Sequence, residues 1–338
     1  QWDKKGAAVN RGVPAILPPL QNLEENEAPS RLDLARWLVS PQHPLTARVY
    51  ANRIWQMLFG YGLVRTPEDF GAQGEPPTHP DVLDWLAADF VESGWDVKRL
   101  IKRIVMSATY QQSSNVSKEL LLRDPENRLL ARNSRFRLPS WMIRDAALAA
   151  SRQLDARIGG PPVYAFQPPG AWADATMGRF HYQPSVGGDL YRRSLYTFWR
   201  RSVGPTGMFD ASKRRNCAVR VVRTNTPLHA LTLLNDETYV EAARALATRA
   251  MQLNRLEERI VAMFRDVLSR DPLPAELELL TGQFADVRSD FQASREEATK
   301  LLQVGQAAVP KDADAAELAT LTTIASTILN MDEAITRE

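Results

Sequence analysis

Residues 217–236 read CAVRVVRTNTPLHALTLLND, and the switch inside this stretch decides what kind of fold the chain builds. Its first part, with Ala218, Val219, Val221 and Val222 among arginines, has the small and β-branched character of a strand. Thr226 then supplies a side-chain oxygen where a helix begins, and Pro227 supplies the fixed φ of a first helical residue. Leu228, Leu231 and Leu234 follow at three-residue steps, and the spacing predicts that they face inward. Asn235 and Asp236 interrupt that helix and cap another.

Everything C-terminal to this point carries the helical period. ETYVEAARALATRAMQ, LEERIVAMFRDVLS, PAELELLTGQFADVRSDF, SREEATKLLQVG and DAAELATLTTIASTILN each read as a helix, with breaks at Asp271-Pro272 and Lys311-Asp312. Residues 30–108 read the same way, as four helices. Ser30 is placed to cap the first, with Leu34, Trp37 and Leu38 inward. Ala47, Tyr50, Ile54, Trp55 and Leu58 form the buried face of the second, which Gly60 ends and which carries Asn52 at its edge. Leu83, Leu86 and Phe90 mark the third, and Asp96 caps the fourth. A short helix in SKELLL and a longer one capped by Ser140 follow.

The texture changes after residue 157. IGGPPVYAFQPPG, residues 158–170, contains seven prolines or glycines, a density that predicts no helix through the 158–189 stretch. LYRRSLYTFWRRSV and RNCAVRVVRT are expected to be a pair of strands. The reading is therefore mainly α: an extended arm over 1–29, a helical group over 30–157, a loop-rich, slightly β insertion over 158–225, and a second helical group over 226–338. Both groups are expected to pack on the insertion as one continuous body.

The chain has 338 residues, 44% hydrophobic and 24% charged, with a net charge of only +2. Its charge is unevenly placed. Nine basic residues between Arg192 and Arg223 face one acid, Asp210, so this segment carries +8 and the remainder −6. A field of one sign attracts anions even on a nearly neutral protein. Near-neutrality disfavours nucleic acid as the partner. No apolar run approaches the length of a membrane span, and the opening QWDKKGAAVN is expected to be a fragment boundary.

No phosphate loop, dinucleotide fingerprint, nucleophile elbow or zinc-binding histidine spacing occurs, so no catalytic motif is recognised. The four histidines are dispersed. His43 and His79 precede prolines at helix entrances and are read as caps, and His229 as a packed or surface residue. The candidate ligand-binding residues cluster in the insertion: Trp172, His181, Tyr182, Arg192, Arg193, Arg200, Asp210, Cys217, Arg220, Arg223 and Asn225. Arginines hold sulfate or carboxylate groups through paired donors, and exposed rings such as Trp172 stack on sugars. The opposing readings are arginines paired internally, a loop pinned by its own aromatics, and Cys217 as a small buried apolar group rather than a thiol activated by its arginine neighbours.

RLDLARWLVSPQHPLTARVYANRIWQMLFGYGLVRTPEDFGAQGEPPTHPDVLDWLAADFVESGWDVKRLIKRIVMSATYQQSS resembles the opening of a planctomycete-specific domain of unknown function. ENRLLARNSRFRLPSWMIRDAALAAS, LYRRSLYTFWRRS, FDASKRRNCAVRVVRTNTPLHALTLLND and TTIASTILNMDEAITRE resemble the rest, so the likeness runs from about residue 11 to 338. The family pattern has Pro-Asp where this chain has Ser212-Lys213, and Gln where it has His229. The resemblance implies the C-terminal part of a large multidomain protein, behind a cytochrome-c-like domain and a second uncharacterised domain. It therefore implies a periplasmic or extracellular location, with haem in the upstream domain and no cofactor here. The expected function is a non-catalytic interaction or scaffolding module partnered by those upstream domains. The alternative is binding or processing of an anionic polysaccharide by the 158–225 segment.

Overall fold

A computed structural model describes residues 6–7, 9–20, 28–200, 203–205, 207–211, 217–220 and 223–337. Trp2, Arg201, Ser212, Lys213, Arg214, Arg215 and the Val221-Val222 part of the expected second strand lie outside the described residues. Among those described are fourteen helices and one sheet of two very short strands, so the mainly α class holds. No helix among them is long and apolar enough to cross a membrane. Contacts divide the chain into two compact units, meeting in sequence at Arg135 and Phe136.

The first unit contains α1 (Arg31–Leu38), α2 (Thr46–Phe59), α3 (Pro80–Glu92), α4 (Val97–Val105) and α5 (Lys118–Arg123). Ser30 and Asp33 form a reciprocal capping box at α1, Asp96 caps α4, and Gly60 closes α2 at a positive φ of 83°. Ile54, Trp55 and Phe59 of α2 pack with Leu83, Leu86 and Phe90 of α3 and Leu100 and Ile104 of α4. The described arm is irregular and holds α1 through the Trp37 indole, which donates to the Pro18 carbonyl at 2.7 Å. That leaves Leu34 and Leu38 exposed, contrary to the expected inward face. Asn52 is fully buried rather than at an edge, because its amide bonds both backbone groups of Val64 and fastens the following loop to the helix. His43 caps as expected, its Nδ1 accepting from the Thr46 amide at 3.1 Å, whereas His79 makes no side-chain cap.

The second unit begins with β1 (Phe136–Arg137) and α6 (Ser140–Ala150) and continues through α7 (Ala171–Thr176), α8 (Pro227–Asn235), α9 (Glu237–Ala250), α10 (Leu256–Leu268) and α11 (Pro274–Ala293). It closes with α12 (Arg295–Leu302), α13 (Ala315–Leu329), α14 (Asp332–Ile335) and β2 (Thr336–Arg337), which pairs antiparallel with β1. α13 is the central rod, packed against α9, α10, α11 and α12. Its threonines enter the core because each hydroxyl bonds a carbonyl one turn back, as Thr320 does with Ala316 and Thr322 with Leu318. Ile260, Met263 and Phe264 of α10 and Leu246 of α9 complete the interior.

Three expectations about α6 and α7 fail. α6 packs on α9 and belongs here, not with the preceding helices. Ser140 is inside α6 and does not cap it; its hydroxyl donates to the Phe209 carbonyl. α7 forms despite the surrounding prolines, because Pro-Pro-Gly ends one residue before it and Gly170 enters it in the left-handed region.

Arg270, just after α10, grips two carboxylates. Its guanidinium bonds both oxygens of Glu276 on α11 at 2.8 Å and both of Glu333 on α14 at 2.7–2.8 Å. The Arg270 hydrogen bonds lower the Glu276 carboxyl to about 2, aided by the Leu273 amide and opposed by burial. A carboxylate held below its unfolded value stabilises the fold above about pH 4.5, and that stabilisation is lost as pH falls toward 2. After allowance for solvent screening, Glu276→Gln should cost about 1 kcal/mol at pH 7 and flatten the acid limb of stability against pH. Urea titrations at pH 7, 4 and 3 check this.

Candidate functional site

The TNTP turn is held by the segment before it. Asp210 adopts the left-handed region, φ 57°, which brings its carboxylate under Thr224. It accepts from the Thr224 amide at 2.6 Å and from the Thr224 hydroxyl at 2.9 Å. Asn225 accepts from the Arg137 guanidinium, which also lies 5.5 Å from the centre of the Phe209 ring. His229 stacks on the same ring, 4.1 Å from Phe209 and nearly parallel to it. Thr226 caps α8 and Asp236 caps α9 as expected.

The site's second half hangs from α6. Arg144 is buried and donates to the carbonyls of Leu190 at 3.0 Å and Arg192 at 2.9 Å, with Ser194 at 3.3 Å and the Asp145 carboxylate at 3.6 Å. Burial pushes its guanidinium down from the ordinary value, against the pull of Asp145, Tyr239 and Asp236. Asp145 in turn accepts from the Ser194 amide at 2.8 Å. Residues 187–191 and 194–196 are therefore tight 3-10 turns, not a strand; 217–218 are irregular and 219–220 form a bend. Among the described residues, what remains of the expected β structure here is two single-residue bridges, Asp155 with Arg192 and Val163 with Thr197.

Arg192 repeats the device one step outward. It is buried, donates to the carbonyls of Arg157, Gly159 and Pro161, and lies 4.0 Å above the Tyr196 ring. Its charge is spent on the loop that the glycines and prolines shape. Trp172 is only 2% exposed and is not a platform for a sugar ring. It stacks on Tyr182 at 5.2 Å and packs with Phe180 and Phe198, while the Tyr182 hydroxyl donates to the Ala165 carbonyl at 2.6 Å. Burial pushes the Tyr182 phenol up. The insertion thus has a small aromatic core of its own.

The other candidate residues lie further out. Arg200 is exposed and caps the Phe180 ring at 4.5 Å, and Arg223 is half-buried over Phe136 at 4.2 Å. His181, Arg193, Cys217 and Arg220 are exposed; Cys217 is not the buried apolar group that a lone cysteine suggests. Sequence reasoning missed Arg137, Arg144, Asp145 and Tyr239. The signal for Arg144 is present, since it follows Ser140 by one turn on the buried face of an otherwise Ala-rich helix.

His229 Nε2 stands 3.9 Å from Asp210, beyond a hydrogen bond, and the Thr224 hydroxyl bonds Asp210 rather than the imidazole. These residues make a turn clamp, not a nucleophile, base and orienter in series. Among the described residues no three His, Cys, Asp or Glu side chains gather as a metal site would need.

The most conspicuous surface feature is on α8. Leu228, Leu231 and Leu234 are 71%, 57% and 47% exposed, and the residue that enters the core is Leu233, at 1%. The expected inward face points outward because Leu233 docks in the core cluster containing Tyr239 and Ile143.

No curated protein and no solved structure matches the chain. A family model, PSD1, matches residues 30–284, a span that takes in the helices of the first unit, the clamped turns, the TNTP motif and α8 to α10. By that match the chain belongs to the family described as protein of unknown function (DUF1553).

Proposed function

We infer that the chain is a non-catalytic interaction module of a larger exported multidomain protein, and that α8 is its docking face. The observation that carries this is the exposure of Leu228, Leu231 and Leu234. Steps of three residues keep them within an arc of about 120° on one helix. Such a stripe is the kind of surface onto which an amphipathic helix lays its apolar face.

The charge that precedes it in the sequence selects the occupant. The chain from Arg192 to Arg223 carries +8 and leads directly into this helix, with Arg220 exposed. A second copy would oppose like charge with like, so the partner is an acidic amphipathic helix, apolar at its centre and carboxylate at its rim.

The probe is an 18-residue peptide with leucines at helical spacing and glutamates elsewhere, followed by fluorescence anisotropy. Saturable binding that weakens with salt is expected. Leu228→Ser with Leu231→Ser should weaken it at least tenfold while moving stability by no more than about 0.5 kcal/mol, since both side chains are at the surface. Absence of binding overturns the reading. So does a dimer in sedimentation that Leu231→Ser dissolves, which assigns the face to a second copy.

The acidic-polysaccharide reading keeps exposed cations at Arg193, Arg200 and Arg220 but has no exposed Trp172 beside them. Saturable binding of a sulfated glycan, unaffected by the leucine substitutions and abolished by Arg200→Ala with Arg220→Ala, would favour it.

A further inference from the structure

We propose that the cleft beside α6 in the second unit binds a small apolar molecule carrying one carboxylate. The cleft has a volume of about 400 Å³ and lies between α6, α10 and the end of α13, with Tyr239 of α9 and Leu233 of α8 in its wall. Its origin is compositional. α6 presents Ala146, Ala147, Ala149 and Ala150 to this space, and methyl groups do not reach the side chains opposite, whereas protein interiors are otherwise close-packed. The volume falls within the range of small-molecule sites, and its lining is mostly apolar with few polar groups, as such sites are.

Those polar groups define the ligand's chemistry. At the rim, Asp266 is paired with Arg249 at 2.9 Å and lies 4.0 Å from Arg152. Arg249 is committed, since it also donates to the Ala150 carbonyl at 2.9 Å. Two guanidinium groups against one carboxylate leave one positive charge, and it belongs to Arg152, whose side chain is largely exposed and lines the cleft. An anion bound there is met by a planar fork suited to a carboxylate. Tyr239 is buried in the wall, and the charged residues nearest its hydroxyl, among them Asp236 and Arg144, lie outside the cleft, so the single charge offered to a ligand is that of Arg152.

Octanoate and 1-octanol are the probes, titrated calorimetrically into the whole chain. Octanoate should bind with one-to-one stoichiometry and several-fold more tightly than 1-octanol. Arg152→Ala should bring octanoate down to the alcohol's affinity. Ala149→Leu, at an exposed helical position on the rim, should abolish both while leaving the urea midpoint unchanged. The proposal is overturned if octanoate shows no saturable binding, or if its binding survives Ala149→Leu and so takes place elsewhere on the surface. Equal affinities for acid and alcohol, indifferent to Arg152→Ala, would overturn the carboxylate assignment.

Discussion

Arg144→Ala should lower the unfolding free energy by about 3–5 kcal/mol, because it removes one partner from a buried ionic cluster and leaves the others unpaired. The carbonyls of Leu190 and Arg192 lose their donor, and Asp145 loses its neighbouring cation. The damage propagates along the chain: the 190–194 turn positions Arg192, and Arg192 holds the carbonyls of the 157–161 loop. Arg144→Lys should recover little, since one ammonium cannot reach two carbonyls, a hydroxyl and a carboxylate through a planar fork. Urea unfolding measures the loss. Hydrogen exchange should show 157–161 and 190–197 opening together in the variant while α9 to α13 stay protected. A cost below about 1 kcal/mol would mean that the turns are held by something other than this guanidinium.

A loss of the same order, about 3–5 kcal/mol, is expected for Glu241→Ala. Glu241 and Arg244 are buried on consecutive turns of α9, 3.3 Å apart. The carboxylate accepts from the amides of Gln306, at 2.7 Å, and Ala307, while Arg244 donates to the carbonyls of Leu302, Val304 and Ala307. The pair thus fastens both donors and acceptors of the turn after α12. Gly305 sits inside that turn at φ 86°, where an added Cβ would lie 2.6 Å from the Glu241 carboxyl carbon. Gly305→Ala should therefore destabilise by the same route, through strain and displacement of Glu241. Limited proteolysis should cut both variants between residues 302 and 310 before any other site in the second unit.

The fold's local punctuation was legible in the sequence. Ser30, Asp96, Thr226 and Asp236 cap the helices they were expected to cap, because capping depends only on residues two or three apart. Burial was legible only where one face is apolar. On α8 nearly every side is apolar, so periodicity offers no means of choosing between the row of Leu228, Leu231 and Leu234 and the row of Leu233.

The turns at 190–197 deceived for a more particular reason. Leu190, Arg192 and Ser194 are buried and their neighbours are not, which is the alternation of a strand. Among the described residues no second strand supplies the ladder; a guanidinium from α6 takes two of the carbonyls instead. Which arginines are clamps and which are free is a question of long-range geometry. Arg192 and Arg193 are adjacent in sequence, yet one is buried in the loop and the other exposed.

The pairing of Phe136 and Arg137 with Arg337 and Thr336 ties the second unit's beginning to its end, and the Leu138 amide adds a bond to the Ile335 carbonyl. Joining positions about two hundred residues apart costs about 4–5 kcal/mol in loop entropy, so this seam forms after the helices between have condensed. On a ribosome, residues 336 and 337 must emerge before the seam can close. The same adjacency means that a short peptide bridging 337 to 136 would convert the unit into a circle that tolerates being opened at an exposed turn elsewhere.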